Sequence, residues 1–285
     1  MSEVKLIKQY EEVSPLLRKY FKLGLKTNHF MTEEEYRLLI SQKNLYYYEW
    51  DGGIIFLKKR EADFKLTYQL IDLEKNLDFE SVKKSSEQFG KLPIVMEIVQ
   101  RPSDKTFEEV TKFWQLQGFE SYLKRVQMNL ENIEGANKLM INSQKNKLPK
   151  CVTRFCNMSE QDLINTMLHE YFNIHTGCIP SDAELASEIE SNNIIGAFSN
   201  ENKLLGILHF SLKKSNVEIR HLVVEKDYRN QGVASELIKK YHTEIVQKRA
   251  SLWVTYDNEV AQSFYKKNGY GFDGWKSEVL IYKNN

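Results

Sequence analysis

The stretch DYRNQGVASEL, residues 227–237, decides how this chain is read. It sets Arg229, Asn230, Gln231 and a single Gly232 directly ahead of an amphipathic run. In that run Val233, Leu237, Tyr241 and Ile245 recur at spacings of four, which predicts a helix running to about Lys248. The preceding VEIRHLVVE (217–225) reads as a strand rich in β-branched residues. The segment from Arg229 to Ser235 therefore falls on a strand-to-helix turn. There the first amides lack intrahelical partners and the helix dipole is positive. Gly232 and Ala234 are small enough to let an anion reach those amides, which is the physics of a pyrophosphate cradle.

The rest of the chain bounds what such a cradle could serve. A length of 285 residues suits two domains, each able to bury a core. With 41% hydrophobic and 28% charged residues the composition is that of a globular protein rather than a disordered one. A formal net charge of +1 points to no global polyanion, so neither a nucleic-acid nor a membrane partner is expected. The N-terminal MSEVKLIKQYEEV has no signal-peptide pattern and no apolar run is long enough for a membrane span, so a cytoplasmic location is expected. Cys151, Cys156 and Cys178 show no CxxC spacing and suit reduced, packed thiols; no metal site is expected. A homodimer is left open.

The two halves echo each other at an offset of about 150 residues, a domain-sized repeat. FWQLQGF (113–119) and FYKKNGY (264–270) each end an amphipathic run. Each follows an apolar strand, LPIVMEIVQ (92–100) or SLWVTYD (251–257), and precedes an alternating segment, YLKRVQMNL (122–130) or SEVLIYK (277–283). Upstream, both halves carry a three-strand meander with tight turns, at Asp51-Gly52-Gly53 in the first, and at 199–202 and 214–216 in the second. A helix preceding the second meander is expected to be capped by Ser159. The reading is an α+β unit duplicated: residues 1–132, a polar linker at 133–150, and residues 151–285.

The spacing Arg229-x-x-Gly232-x-Ala234 lacks the GxxxxGK of a P-loop and the three glycines of a dinucleotide fingerprint. It resembles the acyl-CoA motif of the GNAT superfamily of N-acetyltransferases, in which Arg or Gln is followed after two residues by Gly and after one more by Gly or Ala. Leu222, Val223 and Val224 are similar to the strand whose backbone flanks pantetheine. Asn258 and AQSFYKKNGY (261–270) are similar to the later segment in which an Asn contacts the cofactor and a helical Tyr faces its sulfur. The resemblance covers roughly 150–285 and, more faintly, the first half, and it implies two GNAT-like domains in tandem. The first half has no glycine or arginine after FKLTYQLID (64–72), and Trp114 stands where the second half has Tyr265. It is read as degenerate and non-catalytic.

The implied activity is transfer of an acetyl group from acetyl-CoA to a primary amine of a small molecule or peptide, by direct attack. The cofactor would lie against Leu222, Val223, Val224, the segment Arg229, Asn230, Gln231, Gly232, Val233, Ala234 and Ser235, and Asn258. A lysine-like amine loses about 4 kcal/mol to deprotonation at pH 7, which a positioned base offsets in part. Glu218 is the candidate base, placed by period-two alternation on the face of Leu222 and Val224, with an ordinary exposed strand carboxylate as the other reading. His221 and His209 rank below it. Tyr265 is the candidate acid that protonates the departing thiolate. The segment 168–182, with His169, Glu170, Tyr171 and His175, is expected to shape the acceptor pocket together with strand residues 205–212. Use of another acyl-CoA, and a non-catalytic acyl-CoA-binding or regulatory role, stay open as alternatives. An aminoacyl-tRNA-dependent transferase is a further one, disfavoured by the intact turn and the near-zero charge.

Overall fold

The computed structural model describes residues 3–23, 26–88, 91–133, 151–213, 216–245 and 249–283. The first half runs β1 (Lys5–Leu6), α1 (Tyr10–Leu23), β2 (Lys26–Thr27), α2 (Glu33–Ser41), β3 (Leu45–Trp50), β4 (Gly53–Lys59) and β5 (Phe64–Leu70). It continues with α3 (Phe79–Gln88), β6 (Ile94–Gln100), α4 (Phe107–Leu116) and β7 (Glu120–Leu130). The second half runs β8 (Val152–Phe155), α5 (Gln161–Tyr171), α6 (Asp182–Glu190), β9 (Ile194–Phe198), β10 (Leu204–Leu212) and β11 (Val217–Val224). It ends with α7 (Val233–Glu244), β12 (Ala250–Thr255), α8 (Glu259–Lys267) and β13 (Gly271–Tyr282). This is the mixed, mostly antiparallel α+β architecture read from the sequence, present twice. The expected linker, apart from Ile133, and positions 214–215 of one expected turn lie outside the described residues.

Two compact units divide the chain, and they do not follow the sequence halves. One comprises residues 1–124 with 275–285, the other 125–274. In the first unit the strands lie in the order β1-β3-β4-β5-β6-β13. In the second, residues 125–130 of β7 open the order β7-β12-β11-β10-β9-β8. Residues 276–282 of β13 pair antiparallel with β6, and residues 125–130 of β7 pair antiparallel with β12. Each half thus gives its last strand to the other unit, so the boundary drawn at 132 and 151 needs correction by one strand on each side. Local pattern shows that a strand alternates, not which edge it joins.

The meanders form as expected. Trp50 pairs with Gly53, leaving Asp51-Gly52 as a two-residue hairpin turn. In the second unit one sheet face packs Leu205, Leu208, Phe210, Ile219 and Val254 against Leu237, Ile238 and Tyr241 of α7. The other face packs Ile194, Ile207 and Val223 against Ile164 and Leu168 of α5 and Leu185 and Ile189 of α6. The repeated Gly-aromatic ends of FWQLQGF and FYKKNGY form the same cap. Gly118 and Gly269 are left-handed at φ 92° and 88°. The next residues, Phe119 and Tyr270, bond back to the carbonyls of Trp114 and Tyr265 at 3.2 and 3.1 Å. The cap expected at Ser159 is supplied instead by Asn157, whose side chain accepts from the Ser159 amide while Glu160 returns to the Asn157 amide. Helix α7 ends at Glu244 because Ile245 turns extended, short of the expected Lys248, which lies outside the described residues.

Leu280 is fully buried in the core of the first unit. Leu280→Ala is expected to destabilise that unit by about 2–5 kcal/mol. Hydrogen exchange should quicken in β5 and β6 and not in β10 and β11; the reverse pattern would contradict the exchange of last strands.

Candidate functional site

The site begins where two parallel strands part. Strands β11 and β12 pair only through Val217–Ala250, Glu218–Ser251 and Ile219–Leu252. Directly beyond, β11 carries an extra residue: β10 advances from Phe210 to His209 while β11 advances from Ile219 to His221, leaving Arg220 unpaired in a β-bulge. The bulge bends β11 away from β12 and opens a crevice at the carboxyl ends of two parallel strands, the usual ligand position in such sheets.

Hydrogen-bond alternation shows which groups line it. The Glu225 amide bonds to the Leu205 carbonyl at 2.9 Å, and Val223 faces Ile207. The antiparallel pattern therefore commits the backbone of Val223 to β10 and turns the amides and carbonyls of Leu222 and Val224 toward the crevice. Of the three strand residues expected to flank a ligand, two offer backbone groups. Val223 instead packs its side chain against the α5/α6 face.

The bulge also corrects the placing of Glu218. Val217, Ile219, Leu222 and Val224 all pack on the α7 side, so the alternation slips by one at Arg220. Glu218, between Val217 and Ile219, points to the α5/α6 face, opposite Leu222 and Val224 rather than beside them. It forms an ion pair with Lys213 and stands one residue before the strands part. His221 and His209 share that face, but both rings are buried, so neither reaches a bound substrate.

After β11, a 3-10 turn at Lys226–Tyr228 leads to Arg229, and the backbone then curls twice through left-handed conformations, at Asn230 (φ 59°) and Gly232 (φ 89°). Asparagine and glycine are the residues that tolerate this. Gly232 is thus required by its backbone conformation. The curl leads into the first turn of α7, and among the described residues the amides of 230–235 find no backbone partner. Converging unpaired amides at a helix start form an anion site. Gln231, Gly232 and Asn230 are exposed, and Val233 and Ala234 pack inward on the helix base.

The motif arginine braces the turn. The Arg229 Nε donates to the Val224 carbonyl at 3.0 Å, and the guanidinium lies over the Tyr171 ring at 5.2 Å. Tyr171 donates to Glu225 at 2.9 Å, and the Lys226 amide donates to its hydroxyl at 3.4 Å. Tyr171, expected in an acceptor pocket, is therefore the post to which the turn is tied. His169 and Glu170 are exposed on α5.

On the far side, Asn258 caps α8 by accepting from the Ala261 amide at 3.0 Å, leaving its amide nitrogen available. Gln262 closes the end of β12 by donating to the carbonyls of Thr255 and Tyr256 at 3.1 and 2.8 Å. Tyr265 is buried beneath, its ring 5.6 Å from that of Tyr270, and burial raises its phenol well above the ordinary value. Its hydroxyl makes no hydrogen bond among the described residues. Burial likewise pushes the Cys156 thiol up to about 12, so it is no ready nucleophile. Among the described residues no group of three acidic, His or Cys side chains could hold a metal, and no helix is long and apolar enough to cross a membrane.

The first unit contains the same crevice, filled. Its parallel strands β5 and β6 pair only through Phe64–Ile94 and Lys65–Val95. Into the gap the chain inserts its own residues 26–29. Lys26 and Thr27 pair with Leu70 and Gln69 along the edge that β6 has left. Thr27 Oγ1 donates to the Tyr68 carbonyl at 2.7 Å, and the Tyr68 amide donates to Asn28 Oδ1 at 2.7 Å. Asn28 Nδ2 reaches across to the Glu97 carbonyl of β6 at 2.9 Å. His29 follows, stacked on Phe56 at 4.3 Å and hydrogen-bonded to Thr67 and Tyr36. Trp114, fully buried, covers the base of the gap with its ring 5.4 Å from Tyr68. No sequence signal marked 26–29 as a plug, because its pairing partners are 40 to 70 residues away.

The comparisons with known proteins agree with this geometry. Residues 162–270 match the model of the acetyltransferase (GNAT) family. No curated protein matches the sequence significantly. Among solved structures, a GCN5-related N-acetyltransferase from Sphaerobacter thermophilus is similar at 11% identity and TM-score 0.57, covering 84% of this chain and 80% of that one. A tandem GNAT protein from the clavulanic acid biosynthesis pathway is similar at 10% identity and TM-score 0.56, covering 84% and 82%. A GCN5-related glucosamine N-acetyltransferase region in a fungal multi-domain β-N-acetylglucosaminidase reaches TM-score 0.66 at 9% identity, covering 99% of this chain and 38% of that one.

Removing the brace tests the site as a structure. Arg229→Ala should speed amide exchange across 226–232 by about tenfold, the worth of one charged hydrogen bond. The amides of α7 beyond its first turn should be unaffected. Wild-type exchange in 226–232 would mean the turn stands without its arginine. The parted strands, the left-handed turn and the helix it opens all lie within residues 162–270, the part of the second unit that matches the acetyltransferase (GNAT) family.

Proposed function

We propose that this protein is an acetyl-CoA-dependent N-acetyltransferase with one working site per chain, in the second unit, acting on a primary amine of a small molecule or peptide. The observation that carries the reading is the contrast between the two crevices. The backbone edge at Tyr68 is satisfied by the chain's own Thr27 and Asn28, whereas the Leu222 backbone and the Val224 amide find no such partner among the described residues, beside a turn of unpaired amides. Unpaired backbone groups at such a place are costly unless a ligand or water takes them up.

In this reading the amides of 230–235 hold the pyrophosphate, and the Leu222 and Val224 backbones hold the extended pantetheine as an added strand. A crevice-facing amide polarises the thioester carbonyl. Glu218, on the acceptor side of the sheet, takes the amine proton, directly or through water, as Lys213 yields to the incoming ammonium. The neutral amine nitrogen forms a bond to the carbonyl carbon, the carbon–sulfur bond breaks, and Tyr265 gives its proton to the departing thiolate. The attacking nitrogen sheds its second proton to solvent, from which Tyr265 is reprotonated, and Glu218 releases the ammonium proton, so that the products are an amide, free CoA and one proton. Because burial raises the Tyr265 phenol, it stays protonated throughout the neutral range and the acid is not lost as pH rises there.

Calorimetric titration with acetyl-CoA should give one site per chain; two equivalent sites, or none, would overturn the reading. Gly232→Val should abolish that binding, since a β-branched residue can neither adopt φ 89° without strain of about 1–2 kcal/mol nor leave the amides open. A thermal melt would separate lost binding from lost fold. With an amine identified by mass spectrometry of a panel, Tyr265→Phe should bind acetyl-CoA as before and turn over about 10²–10⁴-fold more slowly. Turnover at the wild-type rate would return Tyr265 to a packing role.

A further inference from the structure

The bulge that opens the crevice also brings two buried histidines face to face. His209 and His221 are cross-strand partners, their rings stacked at 5.2 Å and their Nδ1 atoms 3.0 Å apart. His221 Nε2 lies 2.6 Å from the Gly177 carbonyl, in the segment 172–181 between α5 and α6. His209 Nε2 lies 3.8 Å from Glu188 on α6, whose carboxylate also accepts from Asn193 at 2.6 Å.

The partners set the proton positions. A carbonyl only accepts, so His221 carries its hydrogen on Nε2. Its Nδ1 must then accept, and His209 must donate from Nδ1. The remaining His209 nitrogen faces the Glu188 carboxylate. A directed pair of hydrogen bonds thus runs from His209 on β10 through His221 on β11 to the Gly177 carbonyl, and His209 Nε2 is left without a hydrogen bond among the described residues, 3.8 Å from Glu188. Charged groups around the pair are Glu188 from α6 and Arg220 beside it on β11. Burial, His209 and Arg220 lower the His221 ring to about 3 against the raising effect of the Gly177 bond, so it is neutral, as this pair of bonds requires, over the whole neutral range.

What the pair holds is a bridge over the crevice. Thr176, adjacent to Gly177, gives its carbonyl to Arg125 of β7, opposite Thr255 of β12. Consecutive carbonyls are therefore tied to strands on both sides of the parting. Within the segment, the Asn173 carbonyl takes the amides of Thr176 and Gly177, and Phe172 packs edge-on against His221 at 4.7 Å. A side chain at 177 would meet the Asn173 carbonyl at 2.7 Å, which keeps the turn tight.

We propose that His221, held in its Nε2–H form by His209, is a positioning residue that seats the 172–181 segment across the crevice and so sets the space in which the acceptor binds. The part that concerns the acceptor rests on the acetyltransferase reading; the seating of the segment does not. Nitrogen-15 NMR of the wild-type protein near pH 7 should show His221 protonated at Nε2 and not at Nδ1. His221→Leu should quicken amide exchange in 174–179 about tenfold, the worth of a hydrogen bond, with exchange in α7 unchanged. His221→Gln, whose amide offers one donor and one acceptor, should restore most of the protection. With an accepted amine in hand, His221→Leu should raise the KM for the amine and leave that for acetyl-CoA within about twofold. An Nδ1–H tautomer, or wild-type exchange in His221→Leu, would overturn the proposal. If His221→Leu does not fold, the wild-type tautomer decides alone. Failure of the acetyltransferase reading would appear separately, as no acetyl-CoA binding by a wild-type protein whose tautomer and exchange are as expected.

Discussion

Parallel strands that separate while still inside a sheet create a demand that the rest of the structure must meet, because each backbone group freed by the separation needs another partner. In the second unit the separation follows Ile219 and Leu252, and one extra residue at Arg220 produces it. The bulge aims Leu222 and Val224 into the gap and pairs His209 with His221 beneath the 172–181 segment. It also delivers the end of β11 to where Arg229 can return to the Val224 carbonyl. Turn, helix start and covering segment are all arranged around that one local departure from regular pairing.

The two units answer the same demand differently. The first fills its gap with Thr27, Asn28 and His29, and seals its base with Trp114 where the second has Tyr265. Burial lowers the His29 ring to about 4, so the plug is a neutral, closed hydrogen-bonded unit and not a titrating one. The second unit gives its bonding capacity to fixing the rim and leaves the middle open. Tyr171 holds the turn, Gln262 the end of β12, Asn258 the start of α8, and Arg125 and His221 the bridging segment. A duplicated fold can thus keep one framework while one copy fills the gap between its parted strands from its own chain.

Much of this was legible in the residues. The 3.6 and 2.0 periodicities located the meanders and helices, the Gly-aromatic ends of FWQLQGF and FYKKNGY marked equal caps, and Gly232 marked the turn. These are local signals, written in residues that are neighbours along the chain. What they could not show is set by partners far apart in sequence. Whether β13 joins β6 is an edge choice that alternation does not encode. The bulge at Arg220 is invisible without β10 alongside, and it moved Glu218 to the face opposite the one that simple alternation gave.

Sequence by itself determined the duplicated α+β architecture and the strand-to-helix turn with its small residues, because propensity, capping and spacing act within a few residues, and the family of residues 162–270 came from the resemblance of that turn to a known motif. Tertiary structure alone decided which last strand completes which unit, that residues 26–29 close the first crevice, that Arg229 and Tyr171 brace the turn, and that two buried histidines meet beneath the 172–181 segment. Each of these depends on hydrogen-bond partners brought together from distant parts of the chain, where the need to satisfy buried polar groups, and not local preference, selects the arrangement.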